Sequence, residues 1–242
     1  MILCSGCSFT NYQEKLHLEE QWPHYLGQMF NTSSLNVGWS GVSNDYISNV
    51  AVRNIITNHK KIDAVFIAWS EWHRIGIFGS KRAHNPSVVY WKNSGQIADG
   101  NTIWDVDTSI EEKLIEDNRN NQWVSCKSNI MHNLIMMHAV EKVCQKYNIS
   151  YVFAQGCNPI ATHEDFVEEW DLSFPKILDA LGNYETIIDT SKFYEYPGMW
   201  QLGGKTISQN VPQIDPPNDV HPNPQGHQII AKRFYEFYSS LY

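Results

Sequence analysis

The sequence predicts an α/β protein, a three-layer α/β/α sandwich around a mainly parallel, flavodoxin-like sheet of about five strands. Three observations carry this. Short apolar runs alternate with longer segments of helical periodicity. The run DAVFIAW at 63–69 is apolar nearly throughout, the pattern of a strand covered on both faces. No low-complexity block divides the 242 residues, so a single domain over 1–242 is expected, with an irregular insertion at about 75–125.

The elements follow in order. MILC begins a first strand that ends at Ser5-Gly6. WPHYLGQMF has apolar residues at 22, 25, 26, 29 and 30, one face of a helix, and Pro23 suits its first turn. SSLNVG reads as a second strand running into Gly38 and Gly41. Ser43 is placed to cap a helix over NDYISNVAVRNIITNHK, with Ile47, Val50, Val52 and Ile55 facing inward. DAVFIAW is the third strand. Within the polar insertion, SVVYWKNSGQIADGN has the pattern of a hairpin. NIMHNLIMMHAVEKVCQKYN is a helix whose stripe is 130, 134, 137, 140, 144 and 147. SYVFAQG is the fourth strand, roughly 164–181 is helical, and ETIIDTS is the fifth strand. A loop containing Pro197, Pro212, Pro216, Pro217 and Pro222 precedes a closing helix over PQGHQIIAKRFYEFYSSLY.

Composition excludes several roles. The net charge of −8, with acids and bases interspersed, argues against a nucleic-acid partner, because such binders concentrate positive charge. No apolar run approaches the ~18 residues of a membrane span. No leader pattern is recognisable, and the five cysteines lack framework spacing, so reduced thiols in the cytoplasm are expected. The Asn-x-Ser triplets NTS and NIS carry no weight without a leader. Neither a cofactor nor a metal is expected: His132 and His138 are six apart, wrong for one helix face, and the Cys4-x-x-Cys7 pair has no second ligand pair. A thiol role for that pair would need a helix start after Cys7, and SFTNY is a poor one. Two aromatic clusters, WSEWHRIGIFG with VVYWK behind it and KFYEYPGMWQLGG, either pack their loops down or form ligand platforms.

In a parallel sheet, ligands sit beyond the carboxyl ends of the strands. Ser8 follows strand one, Gly41 follows strand two, and Ser70 to Arg74 follow strand three. Serine becomes a nucleophile when a histidine, oriented by a carboxylate or amide, takes its proton. Donors must already face the developing oxyanion. Ser8, Gly41, Asp219 and His221 make up that minimal set.

Their order and surroundings resemble the SGNH hydrolase superfamily, the GDSL esterases. Gly6-Cys7-Ser8-Phe9-Thr10 stands where that family has Gly-Asp-Ser-Leu/Phe-Ser/Thr, and the WPHYL at 22–26 matches the helix that often follows. Asn36, Ser40 and Gly41 match its second block, and DVHPNPQGH its last. The resemblance covers both ends and the first three strands. It implies a hydrolase acting on ester bonds, with Ser8 as nucleophile, His221 as base, and the amides of Ser8 and Gly41 as oxyanion donors. A small acyl or acetyl ester on a carbohydrate is the substrate class it favours.

Two departures stand out. The third block is Gly-x-Asn-Asp in the family, but here Ser70 stands at the glycine and Trp72 at the asparagine. The Trp72 indole, Asn44 or Arg74 are the candidates to replace the missing donor. The family's acid stands three before the histidine, which here is Asn218, whereas Asp219 stands two before. Either residue can orient the imidazole, and a carboxylate does more for its charged state. These departures also motivate a different class of role, a degenerate member that binds a glycan or a protein without catalysis. His227 reads as a structural residue of the last helix.

Overall fold

The computed structural model describes residues 1–72, 75–77, 88–90, 92–93, 96–97, 126–157, 185–198 and 204–242. The central strands are β1 (Ile2–Gly6), β2 (Ser34–Asn36) and β3 (Ala64–Trp69). Two antiparallel pairs follow: β4 (Ile75–Ile77) with β5 (Val88–Tyr90), and β6 (Lys92–Asn93) with β7 (Gln96–Ile97). The last of these lies within the segment expected to be a hairpin. Then come β8 (Ser150–Gln155), β9 (Phe193–Tyr194) and a separate antiparallel pair, β10 (Gln213–Asp215) with β11 (Asp219–Pro222). The helices are α1 (Trp22–Met29), α2 (Asn44–Asn58), α3 (Cys126–Lys146) and α4 (Pro224–Leu241).

The main sheet has five strands in the order β2-β1-β3-β8-β9, every neighbouring pair parallel. This is the flavodoxin-like order, and its direction reverses between β1 and β3. Both faces are covered because alternate side chains point to opposite sides. Leu3, Val65, Ile67 and Phe153 pack with Ile47 and Ile55 of α2 and with Ile130, Leu134, Met137 and Val140 of α3. Cys4, Phe66, Val152 and Ala154 pack with Trp22 and Leu26 of α1 and with Ile230 and Phe234 of α4. The result is an α/β/α sandwich. Among the described residues, no helix is long and apolar enough to cross a membrane.

Several local expectations are corrected. ETIIDTS is two 3-10 turns, Glu185–Ile187 and Thr190–Lys192, and the fifth strand forms just after them at Phe193–Tyr194. The Asp189 side chain accepts the Ser191 N–H and turns the chain there. In α2, Ser48 and Ala51 fill the buried face with Ile47 and Ile55, while Val50 is only half-buried. Ser43 occupies the N-cap position, but its hydroxyl makes no cap bond. The helix expected at roughly 164–181 lies outside the described residues.

The closing helix is fastened at its first turn. Asn223 caps it by accepting the Gly226 N–H at 2.9 Å, and its Nδ2 donates to the Gln213 carbonyl at 3.1 Å. His227, fully buried, accepts the Trp22 backbone N–H on Nδ1 at 3.2 Å, which ties α1 to α4. Burial, helped by the nearby His221, pushes the His227 pKa down to about 3. The unfolded chain binds this proton below about pH 6.5, whereas the folded protein holds the ring neutral down to about 3. Stability is therefore complete above that unfolded value and falls as pH drops below it. At pH 4 the loss is expected to be on the order of 3 kcal/mol. Urea unfolding at pH 7 and pH 4 measures it, and His227→Asn, which keeps an acceptor for Trp22, is expected to flatten the drop.

Candidate active site

The loop that leaves β1 turns at once. Thr10 and Asn11 both donate their N–H groups to the Cys7 carbonyl, at 2.8 and 3.0 Å, which puts Ser8 and Phe9 at the crest. The turn needs Gly6, because a Cβ there would lie 2.1 Å from Thr10 Oγ1 and 2.7 Å from the Ala68 carbonyl oxygen. Cys7 is fully buried among apolar side chains, as is Cys4 on the other face of the sheet. A second turn follows, with Lys15 and Leu16 donating to the Tyr12 carbonyl. The strand-two side is laced to this loop. Trp39 N–H donates to the Gly6 carbonyl at 3.0 Å, and Asn36 Nδ2 reaches the Thr10 carbonyl and Gln21. Asn11 returns the contact with a 2.7 Å bond to the Gly38 carbonyl.

The other half of the site is β11. Residues two apart on a strand share a face, so Asp219 and His221 point together while Val220 between them is exposed. Asp219 Oδ1 lies 2.7 Å from His221 Nδ1 and also accepts the His221 backbone N–H at 3.1 Å. Asn218 points elsewhere, donating to Asp215 at 3.2 Å. His221 Nε2 is 2.8 Å from Ser8 Oγ. The spacing of two suits an extended strand; a spacing of three would put the acid on the opposite face.

Burial alone would raise the Asp219 pKa, but hydrogen bonds from Lys15 and His221 outweigh it and hold the carboxyl well below its usual range. An ionised carboxylate only accepts, so the imidazole proton sits on Nδ1 and the Nε2 lone pair faces Ser8. The ring is also packed against aromatics. Tyr12 stacks on it at 4.2 Å between centroids and Phe9 lies tilted at 4.9 Å.

The expected oxyanion donors fare differently. Gly41 sits in the turn after β2 with φ +75°, a conformation that favours glycine. The backbone N–H groups of Ser8 and Gly41 donate to none of the described residues. The side-chain N–H groups of Asn44 and Trp72 are engaged by other residues. Asn44 accepts the Ser70 N–H at 2.7 Å and returns Nδ2 to the Ser70 carbonyl at 3.1 Å and to Asn133. The Trp72 indole donates to Gln155 Oε1 at 3.2 Å. Gln155 in turn donates to the Trp69 and Ser70 carbonyls, and Asn133 to the Trp72 carbonyl. These residues fasten the exit of β3 to α2, α3 and β8. Ser70 is fully buried and its hydroxyl has no partner among the described residues. Arg74 lies outside them.

Two contributors escaped the sequence reading. Lys15 Nζ lies 2.7 Å from Asp219 Oδ2, and the Tyr12 hydroxyl donates to the same oxygen at 3.3 Å. Neither belongs to a block of the resemblance, and a lysine in a turn carries no sequence signal for this contact. Of the aromatic clusters, Trp69, Trp72 and Phe193 are buried in the core rather than forming a platform. No group of metal-ligating side chains occurs among the described residues.

No protein-family model and no curated protein matches the sequence. Solved structures do. TesA superposes with a TM-score of 0.51 at 9% identity, over 100% of this chain and 99% of that one. A lipolytic protein of the G-D-S-L family from Desulfitobacterium hafniense DCB-2 gives 0.49 at 11% identity, over 98% of each chain. The esterase EstA from Pseudoalteromonas sp. gives 0.49 at 13% identity, over 99% and 97%. The match to TesA shows a shared fold.

The amide network makes a distinct forecast. Asn44→Leu keeps the branched outline but removes the acceptor of the buried Ser70 N–H and the donor to the Ser70 carbonyl, and is expected to cost about 2–4 kcal/mol in chemical denaturation. Trp72→Phe, which leaves Gln155 Oε1 without its donor and empties part of the indole's place in the core, is expected to cost a comparable amount.

Proposed function

We propose that this chain, which has the fold of the SGNH hydrolases, is a serine-dependent ester hydrolase working through an acyl-enzyme on Ser8. The observation that carries the reading is the 2.8 Å approach of His221 Nε2 to Ser8 Oγ with Asp219 behind the ring. Ser8 Oγ attacks the ester carbonyl carbon and its proton passes to Nε2. Asp219 stabilises the imidazolium. The N–H groups of Ser8 and Gly41 are the donors for the oxyanion. Collapse of the tetrahedral intermediate expels the alcohol, which takes the proton from His221. Water, deprotonated by His221, then attacks the acyl-Ser8 ester, and the acid and free Ser8 are released.

With Asn44 and Trp72 committed elsewhere, the described residues offer fewer oxyanion donors than the family pattern. Each lost donor typically costs about 10²–10³ in rate, so a site with these donors alone is expected to be slow. The same observation favours a second reading, a binding protein in which Ser8 is inert. A fluorophosphonate separates them: covalent addition at Ser8 supports the hydrolase, and its absence supports the binder.

Small acyl or acetyl esters of carbohydrates are the finer substrate reading. It rests on the aromatic-rich stretches beyond β3 and after β9, part of which lies outside the described residues. A panel of acetylated sugars against p-nitrophenyl esters decides it through kcat/KM. The buried thiols Cys4, Cys7, Cys144 and Cys157 fit a reducing, cytoplasmic setting, and 1–242 is read as one domain.

The primary test is hydrolysis of p-nitrophenyl acetate. Ser8→Ala and His221→Ala are expected to abolish turnover, and Asp219→Asn to lower kcat by about 10²–10⁴. Turnover that survives Ser8→Ala overturns the assignment.

A further inference from the structure

The Asp219 carboxylate is gripped from two sides. His221 occupies Oδ1 through its ring and its backbone N–H, at 2.7 and 3.1 Å. Lys15 and Tyr12 occupy Oδ2, at 2.7 and 3.3 Å. The torsion that swings an Asp carboxylate is broad and roughly two-fold, so one-sided contact would leave the plane poorly defined. Here the opposing donors fix it. Tyr12 supplies the longer bond, while the Lys15 ammonium supplies the shorter, charge-assisted one. Lys15 is itself held, since its backbone N–H donates to the Tyr12 carbonyl at 3.2 Å, in the loop that carries Ser8.

We propose that Lys15 is a positioning residue of the site. Its ammonium fixes the Asp219 carboxylate with Oδ1 toward the imidazole, and sets how strongly that carboxylate favours the imidazolium. The inference rests on the reading of Ser8 and His221 given above. Lys15 is half exposed and Asp219 is 9% exposed, so the pair lies at the rim of the site rather than free on the surface. A cation this close to a carboxylate offsets part of the negative charge that the imidazole feels. Lys15 therefore does two things of opposite sign: it orients the acid and it moderates the acid's pull on the proton.

The charged and titratable groups around His221 are Asp219 on its own strand, Tyr12 and Lys15 from the β1 loop, and His227 from α4. Glu14 acts on Tyr12, and Asp215 on Lys15. Replacing Lys15 removes its direct action on Asp219 and Tyr12 and leaves the other side chains in place.

The test compares the unaltered chain, Lys15→Met and Lys15→Arg in two measurements. The first is the ring-proton NMR titration of His221, assigned with His221→Gln and read on the resting protein. Lys15→Met is expected to raise its midpoint, since a neighbouring cation is lost, and Lys15→Arg to keep it. The second is p-nitrophenyl acetate kinetics. Lys15→Met is expected to lower kcat about tenfold with KM within about twofold, and Lys15→Arg to restore kcat. A midpoint that stays in place in Lys15→Met, or that moves equally in Lys15→Arg, overturns the proposal. So does a kcat unchanged by Lys15→Met. If the unaltered chain shows no turnover, the hydrolase reading fails separately, and the titration still decides whether Lys15 governs the Asp219–His221 pair.

Discussion

Side chains two apart on an extended strand point to the same face, and in β11 that alternation brings Asp219 onto the back of His221. The rest of the site is arranged around holding this short strand in place. Its partner β10 supplies the ladder. Asn223 closes the far end, capping α4 with its side-chain oxygen while its amide holds β10. His227, one turn into the same helix, fastens α4 to α1. The run DVHPNPQGH is thus one mechanical unit: a strand that aims two side chains, a cap, a proline in the first helical turn, and a glycine where a Cβ would meet the Pro212 carbonyl oxygen at 2.3 Å.

The Ser8 side obeys a different constraint. Between β1 and β3 the sheet order reverses, and ligands of such sheets sit at that switch point, with the two loops as its banks. Ser8 leaves one bank and Ser70 the other. The bank at β3 is sealed by side-chain amides whose donors and acceptors are nearly all matched among themselves. Buried amides left unpaired are costly, so matching them stabilises the β3 exit. The same matching removes Asn44 and Trp72 from the pool of groups able to face a developing charge. Rigidity and catalytic donors compete here for the same hydrogen atoms.

Much of this was legible in the sequence because it is carried by local pattern. The nearly all-apolar DAVFIAW gave a two-sided strand, and the stripe from Ile130 to Cys144 gave the buried face of α3. The Gly-Cys-Ser turn and the Asp-x-His strand were visible as spacing. What escaped was settled by tertiary contact. ETIIDTS has strand-like composition, but Asp189 turns its own backbone through Ser191 and the strand begins later. Val50 lies on the helix face by periodicity, yet the buried face is made by Ile47, Ser48, Ala51 and Ile55. Trp72 and Asn44 were candidates by position, and only the location of Gln155, Asn133 and the Ser70 backbone shows where their N–H groups go. Lys15 was invisible because its partner is 204 residues away.

That separation bears on how the protein comes into being. Ser8 and His221 are 213 residues apart and meet only through a hairpin whose far end is secured by the closing helix. Closing so long a loop is entropically costly until the intervening sheet has formed. During synthesis the serine loop emerges well before the histidine that lies 213 residues after it. A partly folded chain therefore presents Ser8 without its His221 neighbour. The pairing of the two side chains is a property of the completed fold, made when β11 and α4 dock.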